Sequence, residues 1–354
     1  MIKLFDFTNF SKVDLLFFRD NYLNNGGGMR LFFAFFTLII SASVSADQLR
    51  IATWNIENLG TYGRGSDGGH GDAPLALRTK EQLNEIADFI RDDLASDVIA
   101  LQEIGITHAY GPVSQNTQLD AIVKKLGSSW KYYLPPVPYN HTPDSMYVGY
   151  LWNTEKVEAV AIAPMRVPKL SLAGAALFSR NPVIGFFEAK DKDEESELND
   201  FVLVNVNLAP GLHNDENHLI AMTLIEYGLD DALTAMNINE EDRIILGDFN
   251  DNPHQVSESG TLKYSPAMYY HMAFKGYMDY VPADFKSTRM DTDLDSIVDH
   301  VLVSQAAQTH LFGKRAFLWL PENAPESFAE WRETYSNHFP VSVVMNITED
   351  DDGD

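Results

Sequence analysis

Ile244-Ile-Leu-Gly-Asp-Phe-Asn-Asp251 is the stretch on which the fold of this 354-residue chain turns. Arg243 to Gly247 is short, aliphatic and partly β-branched, the composition of a buried strand. An acid and an amide, Asp248 and Asn250, follow at once. Taken alone, Asp-Phe-Asn after a glycine reads as a turn. The pattern recurs, however. Asn55 and Glu57 close the apolar run that starts at Leu49, and Gln102-Glu103 closes the one from Val98. Asp299 interrupts Ile297-Val298 and Val301-Leu302-Val303, and Asn337-His338 precedes Phe339-Pro340-Val341. A strand end holds a polar side chain rigidly, which suits a site. One such placement is an ordinary surface carboxylate; this series, in this order, points to convergence.

Between these runs lie further elements. Thr79-Lys-Glu-Gln82 has the form of a capping box, and Leu83, Ile86, Ala87, Ile90 and Leu94 follow at helical spacing. Glu216 to Leu233 also reads as a helix. Strands are expected at Trp130–Leu134, Tyr147–Trp152, Ala175–Ser179, Val183–Glu188, Phe201–Leu208 and Val341–Asn346. Thr61 to Arg78 is Gly-rich and reads as a loop, with His70 a solvated residue within it. Asp191 to Glu197 reads as a surface hairpin or loop. No short-period repeat and no linker divides the chain, so one domain is expected over residues 47–348, with an acidic tail at 349–354. Many short strands with a few helices suggest sheet packed on sheet with helices outside.

Composition narrows the chemistry. There is no cysteine, which excludes disulfides, cysteine-ligated zinc and a cysteine nucleophile. The net charge of -25 argues against a protein that coats nucleic acid. It leaves room for an enzyme that touches a few phosphates and lets a metal carry the positive charge. Near the N-terminus, Met29 and Arg30 precede the apolar run Leu31–Ile40, and small residues follow to Ala46. The run is shorter than the roughly 20 residues of a membrane span. It has the form of a secretory signal at 29–46, cleaved after Ala46. Residues 1–28 then read as an upstream extension, with Met29 the expected start. A secreted or periplasmic protein with no stable membrane partner is expected.

Glu103, Glu57 and Asp248 are hard oxygen donors that suit Mg²⁺, Mn²⁺ or Ca²⁺ better than zinc. With the segments TWNIENLG (53–60), VIALQEI (98–104), LVNVNLAPG (203–211), IILGDFND (244–251), DHVLVS (299–304) and SNHFPVSVV (336–344), the chain resembles the endonuclease/exonuclease/phosphatase superfamily, its deoxyribonuclease-like members in particular. The resemblance covers nearly all of residues 49–347. It implies a four-layer α/β sandwich with two facing mixed β-sheets and outer helices. It also implies a divalent metal, Mg²⁺ first, with Glu103 as main ligand and Asn55, Glu57 and Asn337 beside it. Asp248 would orient or activate the attacking water, and Asn250 would hold a phosphate oxygen. His338 would bind the scissile phosphate or act as acid–base group, with Asp299 fixing its tautomer and raising its pKa. Two positions depart from the nuclease pattern. Asn207 stands where deoxyribonucleases have a histidine, and Asn337 where an aspartate is usual. An amide can donate a hydrogen bond but not a proton, so a weakened enzyme or a non-catalytic relative stays open. His213 or His218 would be the nearest compensators.

For the substrate, Phe178-Ser-Arg180-Asn-Pro182 resembles the Arg-x-Pro strand pair of deoxyribonuclease-like members. No acid occurs between Glu158 and Glu188, whereas Arg166, Lys169 and Arg180 do. Arg180 and Arg166 are therefore candidate phosphate contacts. The expected activity is hydrolysis of DNA, or alternatively RNA, by a monomer. A phosphatase or phospholipid phosphodiesterase on the same fold is the alternative.

Overall fold

Strand after strand in this chain is buried on both faces, and that decides its layering. The computed structural model describes residues 48–60, 77–108, 114–136, 146–167, 171–172, 175–190, 199–210, 215–252, 267–280, 282, 288–289, 297–319 and 328–347. The expectations on 1–28, the signal, the acidic tail, the 191–197 segment, His70, Lys169 and His213 fall outside those residues.

In chain order the elements are β1 (Gln48–Leu59), α1 (Lys80–Phe89), β2 (Val98–Gly105), α2 (Thr117–Leu126), β3 (Trp130–Tyr133), β4 (Met146–Asn153) and β5 (Val157–Pro164). Then come β6 (Ser171–Leu172), β7 (Ala175–Ala176), β8 (Phe178–Ala189), β9 (Asp200–Leu208), α3 (Asp215–Met236) and β10 (Arg243–Asp248). The last are α4 (Ala267–Phe274), β11 (Met278–Tyr280), β12 (Asp299–Val303), β13 (Phe317–Leu318), α5 (Phe328–Thr334) and β14 (Val341–Asn346). One six-stranded sheet runs β13-β14-β1-β2-β4-β3 and the other β11-β12-β10-β9-β8-β5. Each is mixed, with a single parallel pair at its middle, β1 with β2 and β9 with β10.

The alternation along each strand builds the layers. Leu49 and Ile51, Val98 and Ala100, Phe201 and Leu203, Ile244 and Leu246, and Val301 and Val303 share one central cluster between the sheets. Their neighbours Ala52, Trp54, Ile56, Ile99 and Leu101 face outward onto α1 and α2. On the other side Val202, Val204, Val206 and Ile245 face Met222, Ile225 and Leu229 of α3 and Met268 and Met272 of α4. Helix, sheet, sheet and helix make the four-layer α/β sandwich expected from the resemblance.

Local chemistry sets the ends. Thr79 and Gln82 cap α1 reciprocally, Thr79 Oγ1 accepting from Gln82 N at 3.3 Å and Gln82 Oε1 from Thr79 N at 2.8 Å. The helical spacing continues through a π-turn at Ile90–Leu94 and stops at left-handed Ala95. The two strands expected at 175–179 and 183–188 are largely one, β8, and β12 opens at Asp299 rather than being interrupted by it. The edge strand β5 and the short helices α2, α4 and α5 were not anticipated. β5 lies at a sheet edge, and the side chains of its apolar run Ala159–Ala163 are half-exposed.

The inward-facing parity also locates a polar pole. Continued beyond the central cluster, it reaches Thr53 and Asn55 on β1, Gln102 on β2, Asn205 and Asn207 on β9, Asp248 on β10 and Asp299 on β12. The first layer of these groups is knit together by hydrogen bonds, with Gln102 Oε1 left without a partner among the described residues. Gln102 Nε2 donates to Asn205 Oδ1 (2.8 Å) and Thr53 Oγ1 (2.9 Å), and Asn205 Nδ2 donates to Leu101 O (3.0 Å) and Gly149 O (2.7 Å). These bonds tie the sheets together, as buried amides require, and form the floor of what lies above.

Candidate active site

Register alone assembles one wall. Arg180 pairs with Asn207, Asn207 with Asp248, and Asp248 with Asp299, a row across β8, β9, β10 and β12. Gly247 makes the close packing there possible. Its φ is +150°, and a Cβ would lie 2.0 Å from the Val206 carbonyl oxygen.

The facing wall needs two bulges. Pairing shifts between Asn55 and Leu59 on β1, and between Leu101 and Ile104 on β2. Glu57, Asn58 and Glu103 are left-handed within these bulges, and Asn250 is left-handed beyond β10. Such backbone is costly for residues other than glycine and clusters at functional sites. The bulge on β2 has a specific effect. Leu101 and Ile104 face the outer helices and Gln102 faces the centre, so plain alternation would send Glu103 outward. The extra residue re-aims it. Glu103 instead bonds the Asn55 side chain and feels the charges of Arg180, His338 and Asp248.

Asp248 is held from three directions. Asn55 Nδ2 donates to Oδ2 (2.9 Å), Asn250 Nδ2 to Oδ2 (3.1 Å) and Asn250 N to Oδ1 (2.9 Å). Above it, His338 Nδ1 pairs with Asp299 Oδ2 at 2.8 Å, which leaves Nε2 3.9 Å from Asp248 Oδ2. Ser336 Oγ fixes the approach of this segment, donating to Asn55 O (2.6 Å) and accepting from His338 N (3.0 Å). Thr288 Oγ1 accepts from the backbone N–H groups of Val298 and Asp299.

The charges decide the protonation. Burial alone would lower the pKa of His338, but Asp299 and Asp248 outweigh it and lift it to about 9. His338 is therefore an imidazolium at neutral pH. Burial pushes the Asp299 carboxyl up while His338 pulls it down. Within the pair the proton belongs to the imidazole, because Asp248 faces it as well. Burial likewise pushes Glu103 up, partly offset by Arg180. Three acidic side chains, Glu103, Asp248 and Asp299, thus meet two basic ones, Arg180 and His338, with acids in excess.

That excess and the all-oxygen donors fit a hard divalent cation. Glu103 would hold it, with Asn55 and Asp248 alongside. Ligand atoms of Asp248, Asp299 and His338 also lie within 4.8 Å of one another. An imidazolium bonded to Asp299 is a poor ligand, so this trio is a hydrogen-bonded charge cluster. Glu57 is engaged elsewhere. Its Oε1 accepts from Arg332 Nε (2.8 Å) and Nη2 (2.7 Å), and its Oε2 from the backbone N of Asn337 (3.0 Å). Where the resemblance implies Glu57 beside the metal, the structure shows it ion-paired with Arg332.

Two donors face the pocket with no partner among the described residues, Asn207 Nδ2 and Arg180 Nε. Arg180 also donates from Nη1 to Ser179 O (2.8 Å), and burial lowers its pKa against the pull of Glu103 and Asp248. Arg166, by contrast, is exposed beyond β5. His218 does not reach the Asn207 slot as a free base. Its Nε2 pairs with Ala209 O (2.8 Å) and its Nδ1 with Asp251 (3.3 Å). Sequence reasoning missed Arg332, Arg289, Thr288 and Asn205. Arg289 bridges His338 in the backbone, and its charge opposes the rise in the His338 pKa. Nothing local marks these residues; only Ser336, beside Asn337-His338, could have been suspected.

A second buried imidazolium lies behind the site. His300 pairs with Asp279 (3.0 Å) and with the Asp251 and Ile297 carbonyls. Burial opposes its charge, but Asp279 and these bonds raise its pKa to about 9. The unfolded value is about 6.5, so its stabilisation is full below that pH and fades as pH rises through about 9. His338 acts in the same direction. The melting temperature is expected to fall between about pH 6.5 and 9.5, and His300→Gln should flatten part of that slope. An unchanged slope in the variant would remove His300 from this account.

The sequence matches the Endonuclease/Exonuclease/phosphatase family over residues 52–315. No curated protein matches it. Among solved structures, a family protein from Bacteroides thetaiotaomicron is similar at a TM-score of 0.53 and 18% identity, over 85% of this chain and 95% of that one. A mannosyl-6-phosphatase from the same organism gives 0.52 and 20%, over 85% and 99%. The human Nocturnin catalytic domain, with a bound sulfate anion, gives 0.53 and 14%, over 87% and 96%. At these identities the likeness is one of fold.

Proposed function

The chain belongs to the endonuclease/exonuclease/phosphatase family, whose members are generally phosphoester hydrolases, and on that premise we propose that it is an exported, divalent-metal-dependent phosphodiesterase acting on nucleic acid, DNA foremost. One observation carries the proposal: the Asp299–His338 pair, 2.8 Å apart, presents Nε2 toward Asp248 across a 3.9 Å gap.

In this reading Asp248 receives the proton of the attacking water, its lone pairs directed by Asn55 and Asn250. The His338 imidazolium donates to a non-bridging oxygen or to the leaving oxygen, and Asp299 keeps the proton on the far nitrogen. Asn207 Nδ2 and Arg180 Nε, unpartnered among the described residues, would bind the remaining phosphate oxygens. Asn207 serves as a donor only, which an amide can do without titrating. Glu103 and Asn55 would hold the metal, which when bound adds positive charge to the phosphoryl and leaving oxygens. Arg180, with Arg289 on the His338 side, offsets part of the acidic cluster, and a bound metal would supply the remaining positive charge toward a polyanion.

The test offers plasmid DNA, RNA, sphingomyelin and sugar phosphomonoesters to the purified protein with Mg²⁺, Mn²⁺ or Ca²⁺. DNA cleavage that disappears in chelator is expected. Faster turnover of a phosphomonoester than of DNA would move the chain to the phosphatases. Export rests on the 29–46 segment. Protein recovered outside the cytoplasm should begin at Asp47, and an intact residue 29–46 segment there would overturn it.

A further inference from the structure

Ladder pairing between the parallel strands β9 and β10 ends at Asn207 and Asp248, just where the two strands deliver their polar side chains. Beyond that pair, side chains take over from backbone. Asn250 Nδ2 donates to Leu208 O (3.0 Å), and Ser179 Oγ, beside Arg180, donates to the same oxygen (2.9 Å). One residue further along each chain, a single imidazole bridges the gap. His218, in the first turn of α3, pairs through Nε2 with Ala209 O (2.8 Å) and through Nδ1 with Asp251 Oδ2 (3.3 Å). A carbonyl only accepts, so Nε2 carries the hydrogen. His218 and Asp251 are both buried, and Asp251 Oδ1 has no partner among the described residues, which leaves His218 as the described anchor of that side chain. The Asp251 carbonyl is anchored too, accepting from His300 Nε2 (3.0 Å). Between Asp248 and these anchors lies Asn250, left-handed at a φ of 49°. A residue other than glycine keeps such a conformation only where its surroundings over-determine it.

We infer that His218 is a positioning residue for the hydrolysis proposed above: by joining Ala209 to Asp251 it holds the ends of β9 and β10 at the spacing that sets Asn207 and Asn250 on one phosphate. The inference rests on that reading of the pocket. His218 is buried with both ring nitrogens on protein atoms, so it acts through its neighbours. Loss of the bridge frees the Asp251 side chain and lets the left-handed turn at Asn250 relax, so that Asn250 Nδ2 leaves Leu208 O and Asp248 Oδ2. Substrate contacts elsewhere in the pocket survive this, but alignment at the reacting phosphorus does not. A misplacement of about 1 Å lowers a rate by up to roughly a hundredfold.

Replacing both members by apolar groups, His218→Phe with Asp251→Leu, tests this without leaving a buried charge unpaired. The double variant should fold and yet lose about thirtyfold in kcat on DNA, with KM within about twofold. Asp251→Leu alone cuts the bridge and leaves His218 as a neutral ring on Ala209 O; it decides the matter, at about tenfold in kcat, if the double variant does not fold. Asp251→Asn is the conservative variant. Its amide can donate to Nδ1 while the Nε2 hydrogen stays on Ala209 O, so kcat should remain within about threefold of wild type. Nuclear magnetic resonance of the Asn250 side-chain amide gives a readout apart from turnover. Its hydrogens should exchange with solvent about tenfold faster in the bridge-cutting variants and at the wild-type rate in Asp251→Asn. Wild-type kcat or unchanged Asn250 exchange in a folded bridge-cutting variant would overturn the inference, as would a thirtyfold loss in Asp251→Asn. A wild type that turns over no phosphoester would instead overturn the hydrolytic reading of the pocket, and the exchange rates would still show whether His218 holds the turn.

Discussion

His338→Ala is expected to lower kcat on DNA by roughly a thousandfold, about 4 kcal/mol of barrier, with KM little changed. The imidazolium is the one group that combines a labile proton with a direct line to Asp248. Its removal takes away an acid and a charge-stabilising donor together. The change also leaves the Asp299 carboxylate buried without its partner, which destabilises the fold by a few kcal/mol. Circular dichroism must therefore show a folded variant before kinetics are read. Asp299→Asn supplies the control. With His338 near 9, wild-type activity should hold at neutral pH and decline as pH rises through about 9. Asp299→Asn removes the charge while its amide oxygen can still accept from Nδ1, so the alkaline limb should move to lower pH. Wild-type turnover in a folded His338→Ala protein would remove the imidazole from the mechanism.

Glu103→Gln is the second large effect. The amide keeps size and hydrogen-bonding shape and deletes one negative charge at the metal seat. Turnover is expected to fall by roughly a hundredfold or more at fixed Mg²⁺, with recovery at higher metal if the loss is one of affinity. The same substitution relieves the burial of a charge that pushes Glu103 up. The variant should then be no less stable than the wild type without metal, and should gain less stability when metal is added. An equal metal-induced rise in melting temperature would place the seat elsewhere.

Chemistry of the pole was legible in the sequence because each strand end exposes its own polar signal. Asp248, Asn250, Asp299 and His338 lie within or directly beside apolar runs, and strand register alone brings Asn207, Asp248 and Asp299 into one row. Arg166 was legible as a charge but not as a position, because a basic residue in a poorly acidic stretch says nothing about where its side chain ends. Arg332 could not be found at all. It sits 275 residues from Glu57, on a short helix with no motif of its own.

By itself, then, the sequence determined the layering and the pole. Alternating burial along the strands is a local property, and a polar residue that breaks it must find partners wherever the strands converge. The tertiary structure decided which carboxylate turns toward the cluster and which pairs with an arginine. Alternation would turn Glu103 away from the pocket, and only the bulge formed by pairing with β1 and β4 turns it inward. Glu57 was legible as a hard donor beside Glu103, and only the fold shows that Arg332 pairs with it. Both outcomes depend on interactions between distant segments, and no spacing along the chain encodes them.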